Sequence, residues 1–391
     1  MTAIPVNVRL GLSMAQINAS DWNGLMIGGV PFLRHEFLAA LEDSGSVSQQ
    51  SGWQPAHLTV TQGERLIAAM PLYIKNNSYG EYVFDWSWAD AYHRYGRHYY
   101  PKLLTAIPFT PSQSPRILLS EQTAMERIIP PMVNAIKDYL DEQGMSSWHM
   151  LFPEQPGLTD LLSLGLARRV GVQYHWLNHG YQSFDDFLAT LSSRKRKNMK
   201  KERQSVVAQG VNFQHINAAD ATEKDWQTFY RFYQSTYEVR GQRGYLSKSF
   251  FEQIARTMPD NLFLIMARQH SDYVAGALFL KDTNTLYGRY WGCDQEFYNL
   301  HFETCYYQGI DYCIKHGLKK FDAGAQGEHK LRRGFEPLIT QSFHWIADAG
   351  FRQAIMNFCQ EEAAHIEQYK DHAEEYLPFK KSWHIDNKLA E

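Results

Sequence analysis

The sequence predicts an α/β protein made of two similar halves, each a mixed sheet flanked by helices. Three observations carry this expectation. Aromatic-rich strings of the first half return in the same order in the second, and the segments between them alternate strand-like and helix-like runs in the same sequence. The length of 391 residues also exceeds what one hydrophobic core usually organises.

The recurring strings set the register of the halves. Val6-Asn7-Val8 with Asp21-Trp22 returns as Val211-Asn212-Phe213 with Asp225-Trp226, about 205 residues later. Ile67-Ala68-Ala69 leading to Tyr79-Gly80-Glu81-Tyr82 returns as Val274-Ala275-Gly276 leading to Tyr287-Gly288-Arg289-Tyr290, about 207 later. Val172-Gln173-Tyr174-His175-Trp176 returns as Gln341-Ser342-Phe343-His344-Trp345, but only about 169 later, so the first half carries an insertion of roughly 38 residues. The Tyr- and Pro-rich stretch near 89–125 is the place for it. The expected organisation is a first domain over 1–180, a basic linker helix over 181–210, a second domain over 211–350 and a helical tail over 351–391.

The elements follow in order. Leu66 to Ile74 and Tyr82 to Trp88 read as strands. Ile129, Met132, Val133, Ile136 and Leu140 then share a helix face, with Pro130 and Pro131 in the opening turn and Gly144 past the end, before a strand over Trp148 to Phe152. In the second half, strands over Val274 to Lys281 and Leu286 to Gly292 precede a helix with Phe302, Cys305, Tyr306, Ile310 and Cys313 on its apolar face and Gly317 as its stop. A strand over Phe321 to Ala325 follows.

Composition narrows the function classes. A net charge of -3 argues against the broad positive field that nonspecific nucleic-acid binding needs, while leaving room for a local basic patch. Cys293, Cys305, Cys313 and Cys359 show no Cys-x-x-Cys spacing, so neither a metal site nor a disulfide framework is expected. Met1 to Gln16 lacks a basic start with an apolar core, and no run of 18 apolar residues occurs, so the expectation is a cytoplasmic protein without membrane insertion.

Two segments carry chemistry. At the joint, Ser192-Ser193 precede Arg194-Lys195-Arg196-Lys197, Lys200-Lys201 and Arg203. Cations crowded into a first helical turn oppose the helix dipole and one another, a cost that a bound anion relieves; a solvated basic helix is the plainer alternative. The second segment, Gly324 to Phe335, follows a strand, where ligands of α/β sheets gather. There Glu328 or His329 can accept a proton, and Lys330, Arg332 and Arg333 can hold a phosphate or carboxylate; an exposed charged turn is the bland reading. Arg289, between Tyr287 and Tyr290, suits an anionic ligand or a structural ion pair. Tyr82, Asp85, Trp86, Trp88 and Asp90, with Tyr92 and His93, suit a sugar or peptide, or plain core packing.

Strand, strand, helix, strand, small helix, strand is also the order of a Gcn5-related N-acetyltransferase (GNAT) unit, and each half shows it. Ser78 to Trp86, Tyr99-Tyr100-Pro101-Lys102-Leu103, Pro108-Phe109-Thr110-Pro111, Ser193 to Asn198, Leu286 to Gly292 and Gly324 to Lys330 together resemble the FemAB-like peptidoglycan biosynthesis or recognition family, a branch of the GNAT superfamily. The resemblance implies tandem GNAT-like (acyl-CoA N-acyltransferase) domains and a transferase moving an acyl group from acyl-CoA or aminoacyl-tRNA to a small-molecule or peptide amine, such as a cell-wall precursor. It also implies a tRNA contact through the basic helix. The usual acyl-CoA loop with its glycines is missing, and Asp294 to Leu300 stands in its place. The competing reading is a noncatalytic module of the same fold that binds a cell-wall fragment or nucleotide-linked sugar.

Overall fold

The computed structural model describes residues 6–25, 29–325, 327–381 and 383. The chain's first five residues, Gln326 within the Gly324 to Lys330 string, and the end of the expected tail lie outside them. The chain forms two compact α/β units, Met1–Gly171 with Ile339–Gln368, and Val172–Leu338 with Tyr369–Glu391. The division falls elsewhere than 1–180 and 211–350. His175 to Leu177 pair with the strand Lys320–Asp322, Trp176 opposite Phe321, inside the second unit. Ser342 to Ile346 pairs with Ser147–Leu151, Trp345 opposite Trp148, inside the first. The two His-Trp strands have therefore changed places: each half's closing strand pairs inside the other unit.

In the first unit, the strands Val6–Leu12, His57–Gln62, Arg65–Met70 and Leu118–Leu119 form a four-stranded sheet. In a second sheet Ser147–Leu151 runs parallel to Lys102–Thr105, which pairs with Tyr73–Lys75, itself paired with Trp53–Pro55. The expected strand over Leu66 to Ile74 thus splits between two sheets at Pro71, which has no N–H to donate to a ladder. The expected strand over Tyr82 to Trp88 does not form. Tyr82 takes a left-handed conformation with φ 65°, and a helix starts at Trp86 and runs to Arg94. The stretch expected as an insertion is core: residues 102–114 are buried and Lys102–Thr105 is an inner strand. Arg116, fully buried, donates to the carbonyls of Ser112 at 2.6 Å and Leu151 at 2.8 Å, which satisfies backbone groups this segment takes out of water. The helix Met125–Gln143 buries Ile129, Met132, Val133, Ile136 and Leu140, but starts earlier than expected, so its prolines lie inside it.

In the second unit the strand order is Val211–Asn217, Leu262–Gln269, Asp272–Lys281, Thr285–Cys293, Lys320–Asp322 and then Val172 to Leu177. Thr285–Cys293 is parallel to Lys320–Asp322 only from Thr285 to Tyr287, after which the pair separates and the sheet opens. A helix over Glu223–Glu238 lies close on this strand. A Cβ at Gly292 would stand 1.7 Å from the Phe232 carbonyl oxygen, and the Ser235 and Thr236 hydroxyls donate to the carbonyls of Cys293 and Trp291. Phe263, Phe279, Phe321, Ile310, Phe335 and Trp176 fill the core between the sheet and the helix Gln308–His316, whose first turns are the π-helical segment Glu303–Tyr307.

Candidate functional site

The second unit contains a cavity of about 1050 Å³. Four elements wall it. The helix Ser193–Ala208 contributes Arg194, Lys195, Asn198 and Glu202, and the central helix, the consecutive helical segments Leu300–Phe302, Glu303–Tyr307 and Gln308–His316, contributes Phe302 and Tyr307. The 3₁₀ turn Glu328–Arg333 supplies Glu328, His329, Arg332 and Arg333, and the chain after the second unit resumes supplies Tyr369, His372 and Tyr376.

Partly buried ion pairs lock these walls. Arg203 reaches from the basic helix to Glu303 at 2.9 Å and Asp311 at 2.6 Å on the central helix. Glu202 accepts from Arg333 Nη2 at 2.9 Å and from the Tyr307 hydroxyl. The Arg333 guanidinium lies 3.4 Å from the centre of the Phe302 ring, so it is stacked as well as paired. The 3₁₀ turn is bounded by Gly327 and Gly334, with φ 115° and 83°. A Cβ at Gly327 would stand 2.4 Å from His329 Cε1, so glycine there lets the imidazole fold back over the turn.

The cavity is electrically unbalanced. The side chains of Arg194, Lys195 and Arg332 make no hydrogen bond or ion pair among the described residues, although all three line it. Burial, then Arg332 and Arg194, pull the Lys195 ammonium below its ordinary value. Unpaired cations that lower one another's affinity for protons favour a bound anion.

The predicted residues divide into those that reach the cavity and those that do not. Glu328 and His329 both face it but do not bond to each other. Glu328 accepts from the Tyr369 hydroxyl at 2.7 Å, and His329 Nε2 lies 2.9 Å from the Tyr306 hydroxyl. His329 therefore has no carboxylate to raise its affinity for protons. Burial, then Arg333 and Lys330, lower it below its ordinary value. Lys330 does not line the cavity: it is buried, donates to the carbonyls of Ala323 at 2.9 Å and Gly324 at 2.6 Å, and burial lowers it to about 8. Arg289 is a structural partner, donating to both oxygens of buried Asp322 at 3.1 Å and 2.5 Å. Tyr287 donates to Asp282 at 2.7 Å, and Tyr290 packs edge-on against Tyr233 and Phe251. Of the basic run only Arg194 and Lys195 reach the cavity; Arg196 and Lys197 lie outside it on the same helix.

In the first unit, Asp85 belongs to a buried polar array. Lys102 Nζ, fully buried, donates to Asp85 at 2.5 Å, Glu81 at 2.8 Å and Ser78 at 2.8 Å. The array continues through Tyr99, which donates to Asp85 at 2.6 Å, to His149 and His344, whose Nδ1 atoms stand 2.7 Å apart. Burial opposes ionisation of Asp85, yet Lys102 and then His149 hold it well below the usual carboxylate range. Burial pushes Glu81 up to about 7 and His149 down to about 3. Trp88 is buried edge-on to His344 at 4.9 Å, whereas Trp86 is exposed against Tyr79. Tyr82 stands in the turn before the helix Trp86–Arg94, and Asp90 lies on that helix.

Sequence reasoning missed Glu202, Tyr306, Tyr307 and Tyr369, and in the first unit Lys102, Tyr99 and both histidines. One signal was readable: Tyr369, His372, Ala373 and Tyr376 fall at i, i+3, i+4 and i+7, a single helix face. Nothing local marks Lys102 as the partner of Asp85. Among the described residues, no group of three or more His, Cys, Asp or Glu side chains is placed to hold a metal ion, and no helix is long and apolar enough to cross a membrane.

Two α/β units, one of them with a sheet that opens beside a cation-lined cavity, define a fold seen in solved structures. The crystal structure of FemX is 12% identical, with a TM-score of 0.53 over 87% of this chain and 98% of that one. The C-terminal domain of an Agrobacterium fabrum protein named for lysylphosphatidylglycerol synthetase is 9% identical, with a TM-score of 0.52 over 88% and 96%. A tandem GNAT protein from the clavulanic acid biosynthesis pathway is 10% identical, with a TM-score of 0.47 over 88% and 99%. No curated protein matches the sequence. The chain belongs to the FemAB-like family of peptidoglycan biosynthesis/recognition, whose model matches residues 13–381.

Proposed function

We propose that the protein transfers an activated acyl or aminoacyl group to an amine acceptor in cell-wall precursor chemistry, using the cavity of the second unit. The observation that carries this reading is the wall of unpaired Arg194, Lys195 and Arg332 facing the same space as His329. The cations suit the phosphates of a donor, and His329 suits the proton of an attacking amine. The family supplies the cell-wall context.

Two observations favour aminoacyl-tRNA over acyl-CoA as donor. The loop before the central helix is already bonded to the basic helix: Gln209 accepts from the Tyr298 N–H at 3.1 Å and donates to its carbonyl at 3.0 Å, and Asn299 donates to Ser205. It therefore offers few free N–H groups to a pyrophosphate. Arg196, Lys197 and Lys201 extend the positive strip along the helix beyond the cavity. The Gly324 N–H, at the opening of the sheet, is taken by Asp322 at 2.9 Å and does not serve as an oxyanion donor.

In the reaction the amine nitrogen attacks the donor's acyl carbon, a C–N bond forms, and the C–O or C–S bond to the carrier breaks. His329, neutral at pH 7 because its pKa is lowered, takes the amine proton and returns it to the leaving group. His329→Ala should lower turnover about 100-fold and barely move the melting temperature, since the side chain stands on the cavity wall rather than in the core. Lost stability with turnover per folded molecule preserved would show the turn to be structural.

A further inference from the structure

Glu328 is the one cavity carboxylate that no cation holds. Arg194, Lys195, Arg332 and Arg333 share the cavity with it, yet among the described residues it forms no ion pair. Its Oε1 accepts from the Tyr369 hydroxyl at 2.7 Å, and the Tyr174 hydroxyl stands 2.5 Å from that of Tyr369. Each phenol has one proton. Since the proton of Tyr369 goes to Glu328, Tyr174 must donate to Tyr369, and the chain runs one way. Burial, then the bonds with Tyr174 and Glu328, hold the Tyr369 phenol well above its ordinary value, so it stays a donor. The other carboxylate oxygen, Oε2, accepts nothing among the described residues. An exposed carboxylate with one oxygen fixed and one open is preorganised for a cationic donor that comes from outside the chain.

We infer that Glu328 is the subsite for the acceptor's ammonium group, and that Tyr369 and Tyr174 are positioning residues that aim it. This rests on the transferase reading and narrows its acceptor to a primary amine that binds protonated. The ammonium first gives one proton to His329, the next residue on the same turn, which releases it to solvent; the freed lone pair then forms the C–N bond, and the second proton that the nitrogen loses passes through His329 to the leaving group.

Calorimetric titration of the full chain at pH 7 tests the assignment with two probes of equal length, Nα-acetyl-lysine amide and its uncharged analogue with a methyl group in place of the ammonium, Nα-acetyl-2-aminoheptanoic amide. The unaltered protein should bind the lysine probe about tenfold more tightly, Glu328→Gln should abolish that preference, and Tyr369→Phe should weaken it several-fold. Inorganic pyrophosphate should bind all three proteins alike, which reports separately on the anion side of the cavity. Equal binding of the two probes by the unaltered protein, or a preference that survives Glu328→Gln, overturns the subsite. A preference untouched by Tyr369→Phe overturns the positioning role. Loss of pyrophosphate binding alone would count against the donor reading and leave this subsite standing.

Discussion

Glu328 and His329 are neighbours in sequence, yet each is held by a different tyrosine, and this separation gives them different roles in the cavity. Below the same turn, Asp322 and Arg289 form the buried pair that fixes where the sheet opens. Burial opposes the charge of Asp322, but Arg289 and then His175 hold its carboxyl below the usual range. A carboxylate with a depressed folded pKa contributes stability that is present above about pH 4 and is lost as pH falls through the folded value. Asp322→Asn should therefore cost about 3–5 kcal/mol near neutrality by taking the carboxylate away from the buried Arg289 guanidinium, and should flatten the fall in stability below pH 4. Chemical denaturation across that range checks both parts. The sequence admits this pair only as an alternative, because the chemistry of an arginine among tyrosines does not reveal a carboxylate more than thirty residues away.

Element by element, what the sequence reveals depends on how local the cause is. The helices near 129 and 302 and the strands over Asp272–Lys281 and Thr285–Cys293 are readable because their apolar spacing and glycine stops are local. The strand expected over Tyr82 to Trp88 fails because the left-handed turn at Tyr82 and the demand of buried Lys102 for Asp85 override its aromatic content. Gly292 shows a cause that spacing cannot show, the contact of a helix backbone with a strand. Gly292→Ala would put a Cβ 1.7 Å from the Phe232 oxygen and must push that helix away. The expected loss is about 3 kcal/mol, read as a lower melting temperature; a change under about 0.5 kcal/mol would show that the helix is not held there.

At the scale of the whole molecule, the repeated strings are legible and their destination is not. The His-Trp strands lie in exchanged places because pairing register, set by partners such as Phe321 and Trp148, is invisible in either strand alone. We read the halves as a duplication in which the closing strands exchanged units, a low-cost rearrangement when two units are alike. The chemistry has not been shared equally. The first unit holds charges in a closed, hydrogen-bonded array around Lys102, whereas in the second the cavity cations Arg194, Lys195 and Arg332 have no partner among the described residues. The most direct test of that asymmetry is ligand-induced thermal stabilisation with acyl-CoAs, charged tRNAs and cell-wall precursors, compared between the unaltered chain and the triple change Arg194→Ala, Lys195→Ala, Arg332→Ala. The account predicts that charged tRNA stabilises the unaltered chain and that the triple variant, folded and with its own melting temperature preserved, loses at least about tenfold in that affinity. Equal stabilisation of both proteins by the same donor would place the donor elsewhere and contradict it.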